Sequence, residues 1–221
     1  MEDDGLSLLP DKIRVERIRD EEAFEGVRVL LEARLANVRI PLQIDVGFGD
    51  VIVPAPEELE FPTLLKFPAP KLQAYSKESA VAEKFEAIVK LGMANSRMKY
   101  FYDLWVLAQR FEFGSVALAR AIQTTFETRH TALPVSLPLA LQKHFYELPS
   151  KRTQWRAFLQ KSGLNAETSL RKVIQVIAEF VMPIVESTLK GDRGEELWGK
   201  GGPGRAGVTS PEDAILEHPT R

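Results

Sequence analysis

Ile40-Pro41-Leu42-Gln43-Ile44-Asp45-Val46-Gly47-Phe48-Gly49-Asp50 is the stretch on which the fold class of this chain turns. Ile40, Leu42, Ile44, Val46 and Phe48 alternate with Pro41, Gln43, Asp45, Gly47 and Gly49, the period of two that marks a strand with one face on a core. Asp45 therefore stands on the opposite face, where its carboxylate meets solvent or something that needs an acid. Gly47, two residues on and without a side chain, lets a backbone or a ligand come close. Upstream, Val27, Val29, Leu31, Ala33 and Leu35 alternate with Arg28, Leu30, Glu32 and Arg34, and this period also argues strand over helix. Ala36-Asn37-Val38-Arg39 separates the two runs as a short hairpin loop, with Asn37 suited to a left-handed turn conformation. The hairpin would bring Arg28 and Asp45 together on one face as a cross-strand ion pair. Residues 12–19, with Ile13, Val15 and Ile18 among charges, read as a further strand, and Asp20-Glu21-Glu22 as an acidic connection.

Downstream the pattern changes. Residues 51–53 continue the sheet, and Pro54, Pro56, Pro62, Pro68 and Pro70 then rule out a long helix or an interior strand. Residues 54–72 are thus expected to be an extended surface connection. Ser76 is a suitable N-cap, with Glu78 in the first turn, for a helix ending at Gly92. Further helices are expected at 97–111, 115–129, 137–146, 150–160 and 167–189. The last carries Leu170, Val173, Ile174, Ile177, Val181 and Ile184 at helical spacing and should kink before Pro183. The glycine-rich stretch 191–221 cannot bury enough apolar surface to order itself and is expected to be a disordered tail. The chain thus divides into a β-rich part (1–72), a helical part (73–190) and a tail, and the fold class is α+β.

Composition narrows the function classes. With 29 Lys and Arg against 31 Asp and Glu, the formal charge of −2 offers no global attraction to nucleic acid, so an anionic partner needs a local patch. The absence of Cys excludes disulfides, thiolate metal sites and cysteine catalysis. His130, His144 and His218 are scattered and form no zinc signature. No apolar run approaches the roughly 18 residues of a membrane span. Met1-Glu2-Asp3-Asp4 lacks the cationic start of a secretion signal, so the expected location is cytoplasmic.

Besides Asp45, the helices offer three kinds of reactive group. Lys84 lies in the apolar stripe of its own helix, with Ala80, Val81, Ala87 and Ile88 three and four residues away, and either snorkels to water or faces an anion. Arg97 and Lys99 occupy the first turn of the next helix, where the dipole disfavours cations unless an anion such as a phosphate docks there. Asp103, four residues after Lys99, can pair with it and lies among aromatic neighbours. Two carboxylates and a set of cations suit phosphoryl chemistry, in which acids hold a metal and basic groups hold phosphates.

Leu42–Asp50, Ala74-Tyr75-Ser76-Lys77-Glu78, Ala82-Glu83-Lys84-Phe85-Glu86-Ala87, Asn95-Ser96-Arg97-Met98-Lys99 and Phe101-Tyr102-Asp103-Leu104 together resemble the nucleotidyltransferase toxins of the AbiEii/AbiGii family. The resemblance runs in order over residues 4–189. It implies a nucleotidyltransferase-like fold, a mixed or antiparallel sheet with flanking helices followed by a helical C-terminal half. It also implies a toxin of a bacterial toxin–antitoxin or phage-defence system that uses Mg²⁺ and a nucleoside triphosphate to modify tRNA or another RNA, with a cognate antitoxin as partner. Matched by motif, Asp45 resembles the strand carboxylate after the family's metal-binding pair, Lys84 the nucleotide-contacting lysine and Asp103 the late catalytic aspartate, so these three are the expected catalytic set, with Asp45 an expected metal ligand. Arg97 and Lys99, from their place at the helix start, join Lys84 as expected nucleotide contacts. The family's first motif, a glycine turn and an Asp-x-Asp strand, is expected to lie before residue 1. Tyr100 stands where the family often has Asp. The alternative reading is a catalytically inactive member that binds nucleotide, RNA or antitoxin.

Overall fold

In a computed structural model of the chain, β1 (Leu6–Leu8), β2 (Arg14–Ile18), β3 (Gly26–Leu35) and β4 (Val38–Gly47) form one antiparallel sheet. The residues described are 5–18, 26–49, 51–63, 66–164, 168–191, 197–199 and 202–203. β3 is central, because β4 runs along its whole length on one side while β1 and β2 share the other. The register sets Val27, Val29, Leu31, Ala33 and Leu35 against Val46, Ile44, Leu42, Ile40 and Val38, so the apolar residues of both strands share one face. The hairpin loop is two residues, not four. The left-handed position falls on Ala36, at φ 50°, because so short a loop requires a positive φ at its first residue. The expected core face is not covered by the described residues of this part of the chain: Ala33 is its one buried described residue, and Ile44 is 53 % exposed. No α-helix precedes Lys77 among the described residues, so no helix there can lie over the sheet.

The change from strands to helices falls between Ala74 and Lys77, close to the expected boundary, while by compactness the chain divides into two units at Val51/Ile52. The reason is a serine clamp at the head of the first helix. The Val53 N–H donates to Ser79 Oγ at 2.9 Å, and the Ser79 and Ser76 hydroxyls donate to the Val53 carbonyl at 3.0 and 3.3 Å. The stretch 54–72 is also more than a connection, since β5 (Glu57–Glu60) pairs antiparallel with β6 (Lys71–Ala74). The prolines permit this by position: Pro54 and Pro56 precede β5, and Pro62, Pro68 and Pro70 lie in the loop, so no ladder donor is lost.

The helical elements follow the sequence closely. They are α1 (Lys77–Leu91), α2 (Met98–Arg110), the two-residue strand β7 (Phe113–Gly114), α3 (Ser115–Thr128), α4 (Lys143–Glu147), α5 (Pro149–Lys161) and α6 (Leu170–Lys190). Ser76 caps α1 by accepting the Ser79 N–H at 3.1 Å, and Gly92 ends it at φ 49°, a conformation that favours glycine. The expected 137–146 helix is only the short α4 after a 3₁₀ turn, and residues 165–167 lie outside the described set. Pro183 sits inside α6. Fully buried Phe85, Phe101, Phe126, Phe145 and Phe180 join the apolar stripes of these helices into one core.

The expected disordered tail is corrected at its described residues. β8 (Leu197–Gly199) pairs with β7, and β9 (Gly202–Pro203) pairs with β8. Trp198 is buried, its ring centre 5.0 Å from that of Phe180. One large aromatic supplies apolar area that a count of glycines does not reveal. The rest of 192–221 lies outside the described residues. Among the described residues, no helix is long and apolar enough to cross a membrane.

Candidate functional site

Asp45 sits opposite Arg28 in the β3–β4 register, on the shared face that the alternation placed them on, the pairing itself being set by the two-residue loop. Arg28 grips both carboxylate oxygens, Nε at 2.8 Å and Nη2 at 3.0 Å, and Gln43 adds contacts at 3.1 and 3.2 Å. The hydrogen bonds from Arg28 hold the Asp45 carboxyl below the usual carboxylate range, and Asp45 in turn raises Arg28. In this unit the carboxylate is thus the acid of a cross-strand pair. A ligand that used it would have to share it with, or take it from, a bidentate guanidinium. A second acid on the same sheet, Glu32, plays a similar part for Lys12, Arg34 and Arg39, with Lys12 at 3.2 Å.

The second unit gathers the other candidates. Lys84 on α1 and Asp103 on α2 come together across the two helices, Nζ to Oδ2 at 3.6 Å. Lys99, one turn before Asp103, reaches the same oxygen at 2.5 Å. Arg97 lies against Tyr100, its guanidinium 5.4 Å from the ring centre and Nη1 3.4 Å from the hydroxyl, while the Lys84 ammonium is 5.7 Å from that ring centre. Lys84 and Asp103 keep side-chain exposures of 24 % and 20 %, against 68 % for Lys99. The site is therefore a half-open patch of three cations, one carboxylate and one aromatic ring. With one negative charge among three positive ones, the patch suits an anion.

The sequence explains why these groups meet. Lys84 is carried inward by the small and apolar residues around it, since Val81, Ala87 and Ile88 are buried and fix that face of α1 on the core. On α2, Phe101, Leu104 and Ala108 are buried, which leaves Lys99, Tyr100 and Asp103 at the helix margin. On the other side of α1, Glu86 is fully buried and accepts from Arg129 at 3.2 Å and from the Thr131 hydroxyl at 2.5 Å. Glu83 lies 3.6 Å from Arg129. Sequence reasoning overlooked this clamp, and the signal available was a glutamate inside an apolar helical run. It also overlooked Lys151, a buried lysine on α5 that donates to the Asn95 carbonyl at 2.6 Å.

Among the described residues, no three acidic or histidine side chains gather to hold a metal. Single carboxylates such as Asp103 suit an ion that arrives already bound to phosphates, the usual habit of magnesium at nucleotide sites.

A family model described as nucleotidyl transferase AbiEii toxin, type IV TA system, matches residues 2–176. The match covers the first unit, most of the second, and Asp45, Lys84, Arg97, Lys99 and Asp103. No curated protein and no solved structure gives a significant match.

Proposed function

The chain belongs to the AbiEii nucleotidyl transferase toxin family of type IV toxin–antitoxin systems, and from that premise we propose that it transfers a nucleoside monophosphate from a magnesium–nucleoside triphosphate to an RNA acceptor, tRNA above all. As a toxin of this class it is paired with a cognate antitoxin. In this reading it acts in the cytoplasm, where its acceptor is, and phage defence is the setting. Lys84, Arg97 and Lys99 are the phosphate contacts. Asp103 orients Lys84 and Lys99 in the free protein; when the triphosphate draws those cations away, it takes the proton of the acceptor hydroxyl as that oxygen attacks the α-phosphorus and pyrophosphate leaves. By family resemblance alone, Asp45 on the first unit is proposed as a further catalytic acid and metal ligand.

The single observation that supports this reading is the meeting of Lys84 and Asp103 across two helices, with Lys99 on the same oxygen. Two cations on one carboxylate leave positive charge to spare. Lys99, mostly exposed, can swing to a phosphate at little packing cost, whereas Lys84 is held by the core beneath it. Phosphoryl-type transfer needs chiefly such positioning and charge neutralisation.

The test is transfer of label from each α-labelled nucleoside triphosphate to bulk tRNA in the presence of Mg²⁺. Lys84→Ala and Asp103→Ala should each lower the rate at least ~100-fold, the scale for removing an electrostatic or acid–base group, while circular dichroism stays unchanged. No transfer by the unaltered chain, or transfer indifferent to both substitutions, overturns the reading. Nucleotide binding without transfer would instead make the chain a binding member of its family.

A further inference from the structure

Lys151 is a buried charge outside the patch just described. It lies on α5 with 6 % exposure, its ammonium 4.9 Å from the Phe145 ring centre and 2.6 Å from the Asn95 carbonyl oxygen. Burial pushes it below the ordinary lysine value. A neutral donor would satisfy one carbonyl at a far smaller desolvation cost. A charged donor makes a stronger and shorter bond, which matters where a turn must be held in one geometry.

Asn95 is that turn. It is fully buried, its N–H donates to the Gly92 carbonyl at 3.2 Å, and its side-chain Oδ1 accepts the Arg97 N–H at 2.8 Å. Its side-chain amide nitrogen has no hydrogen-bond partner among the described residues. Arg97 is the N-cap of α2 and makes no side-chain capping bond there. Two hydrogen bonds in series thus run from the Lys151 ammonium through Asn95 to the backbone of Arg97, whose guanidinium rests on Tyr100 beside Lys84.

We infer that Lys151 is a positioning residue for the phosphate-binding cations: by holding the Asn95 carbonyl it fixes the 95–97 turn and so aims Arg97. The inference rests on the reading of Arg97 as a phosphate contact. It adds a residue from α5, about fifty positions later in the chain, to a site otherwise built on α1 and α2.

Two readouts on the full chain separate this inference from the reading beneath it. The first needs no ligand: the Nε–Hε resonance of Arg97, assigned with Arg97→Ala, and the backbone amides of 95–99 are followed by NMR. Lys151→Met should shift them, and Lys151→Arg, which keeps a charged donor, should restore most of the shift. Unmoved Arg97 signals in Lys151→Met overturn the proposal. The second readout is calorimetric binding of inorganic triphosphate with Mg²⁺, a probe that requires no choice of base. Lys151→Met should weaken it by about 10-fold in the wild-type background and by less than ~2-fold once Arg97 is Ala, the mark of two residues acting through one contact. Equal losses in both backgrounds overturn the proposal. If the wild type binds no triphosphate while the Arg97 signals move as expected, the nucleotide reading fails and the positioning link stands. If Lys151→Met and Lys151→Leu both fail to fold while Lys151→Arg keeps wild-type signals, Lys151 is purely structural and the proposal falls.

Discussion

Arg129→Met should destabilise the second unit by about 3 kcal/mol, the lower end of the loss expected when one partner of a buried ion pair is removed. The magnitude comes from the setting of Glu86. Its side chain is fully buried, and its two oxygens are met by Arg129 at 3.2 Å and by the Thr131 hydroxyl at 2.5 Å. Removing the guanidinium strands a carboxylate in the core with one hydrogen bond left. The Thr131 contact, and the 16 % exposure of Arg129 that lets water approach, keep the loss from the upper end of the range. Methionine retains much of the arginine stem, so lost packing contributes little. Trp105, Trp155 and Trp198 all lie in the second unit, so urea unfolding followed by tryptophan fluorescence reports it directly. With a slope of roughly 2–3 kcal/mol/M, the midpoint should fall by about 1–1.5 M. The double variant Glu86→Leu/Arg129→Met removes both charges and should recover to within about 1 kcal/mol of the wild type. A midpoint shift under ~0.3 M for the single variant, or a double variant no better than the single, would refute the claim that this pair clamps α1. The clamp bears on function because Glu86 and Lys84 lie on the same turn of α1, so loosening one lets the other drift from Asp103.

Two further outcomes rest on the same structure. Trp198→Ala should cost the second unit about 3 kcal/mol, the low end for emptying an aromatic site in a core, and a thermal midpoint unchanged from wild type would mean that β8 does not seal the Phe113–Phe180 end. Asp45 should titrate below the ordinary aspartate value of 3.8 because Arg28 stabilises its charged form. Since its folded-state value is depressed, the contribution of the pair to stability is present above the unfolded value and is lost as pH falls through the folded one. Carboxyl-carbon NMR checks this: Arg28→Gln should return the midpoint to the ordinary value, and a wild-type midpoint at or above 3.8 would contradict the bidentate contact.

Much of the fold was legible because the relevant signals are local. A period of two placed β3 and β4, and the register that puts Arg28 opposite Asp45 follows from a short loop and an alternation that a one-residue slip would invert. Ser76 and Gly92 bracket α1 through backbone geometry that neighbouring residues alone impose. The Lys99–Asp103 contact likewise needs nothing but one helical turn. Misreadings arose where a long-range partner decided the outcome. Five prolines in 54–72 argued against a helix or an interior strand and for a bare extended connection, yet a hairpin fits because each lies outside the paired residues. A glycine-rich end argued against order, yet Trp198 found Phe180 and the β7 edge.

By itself, then, the sequence determined the α+β class, the limits of the longer helices, the family and the residue types able to handle a phosphate, because each depends on spacing along the chain. Which of those residues touch was settled by tertiary structure. Lys84 meets Asp103 because the apolar faces of α1 and α2 pack at one particular rotation, Glu86 is pinned by an arginine 43 positions away, and Lys151 reaches Asn95 from 56 positions away. Side-chain distances across packed helices are set by how all the apolar faces fit at once, and no local period encodes that sum.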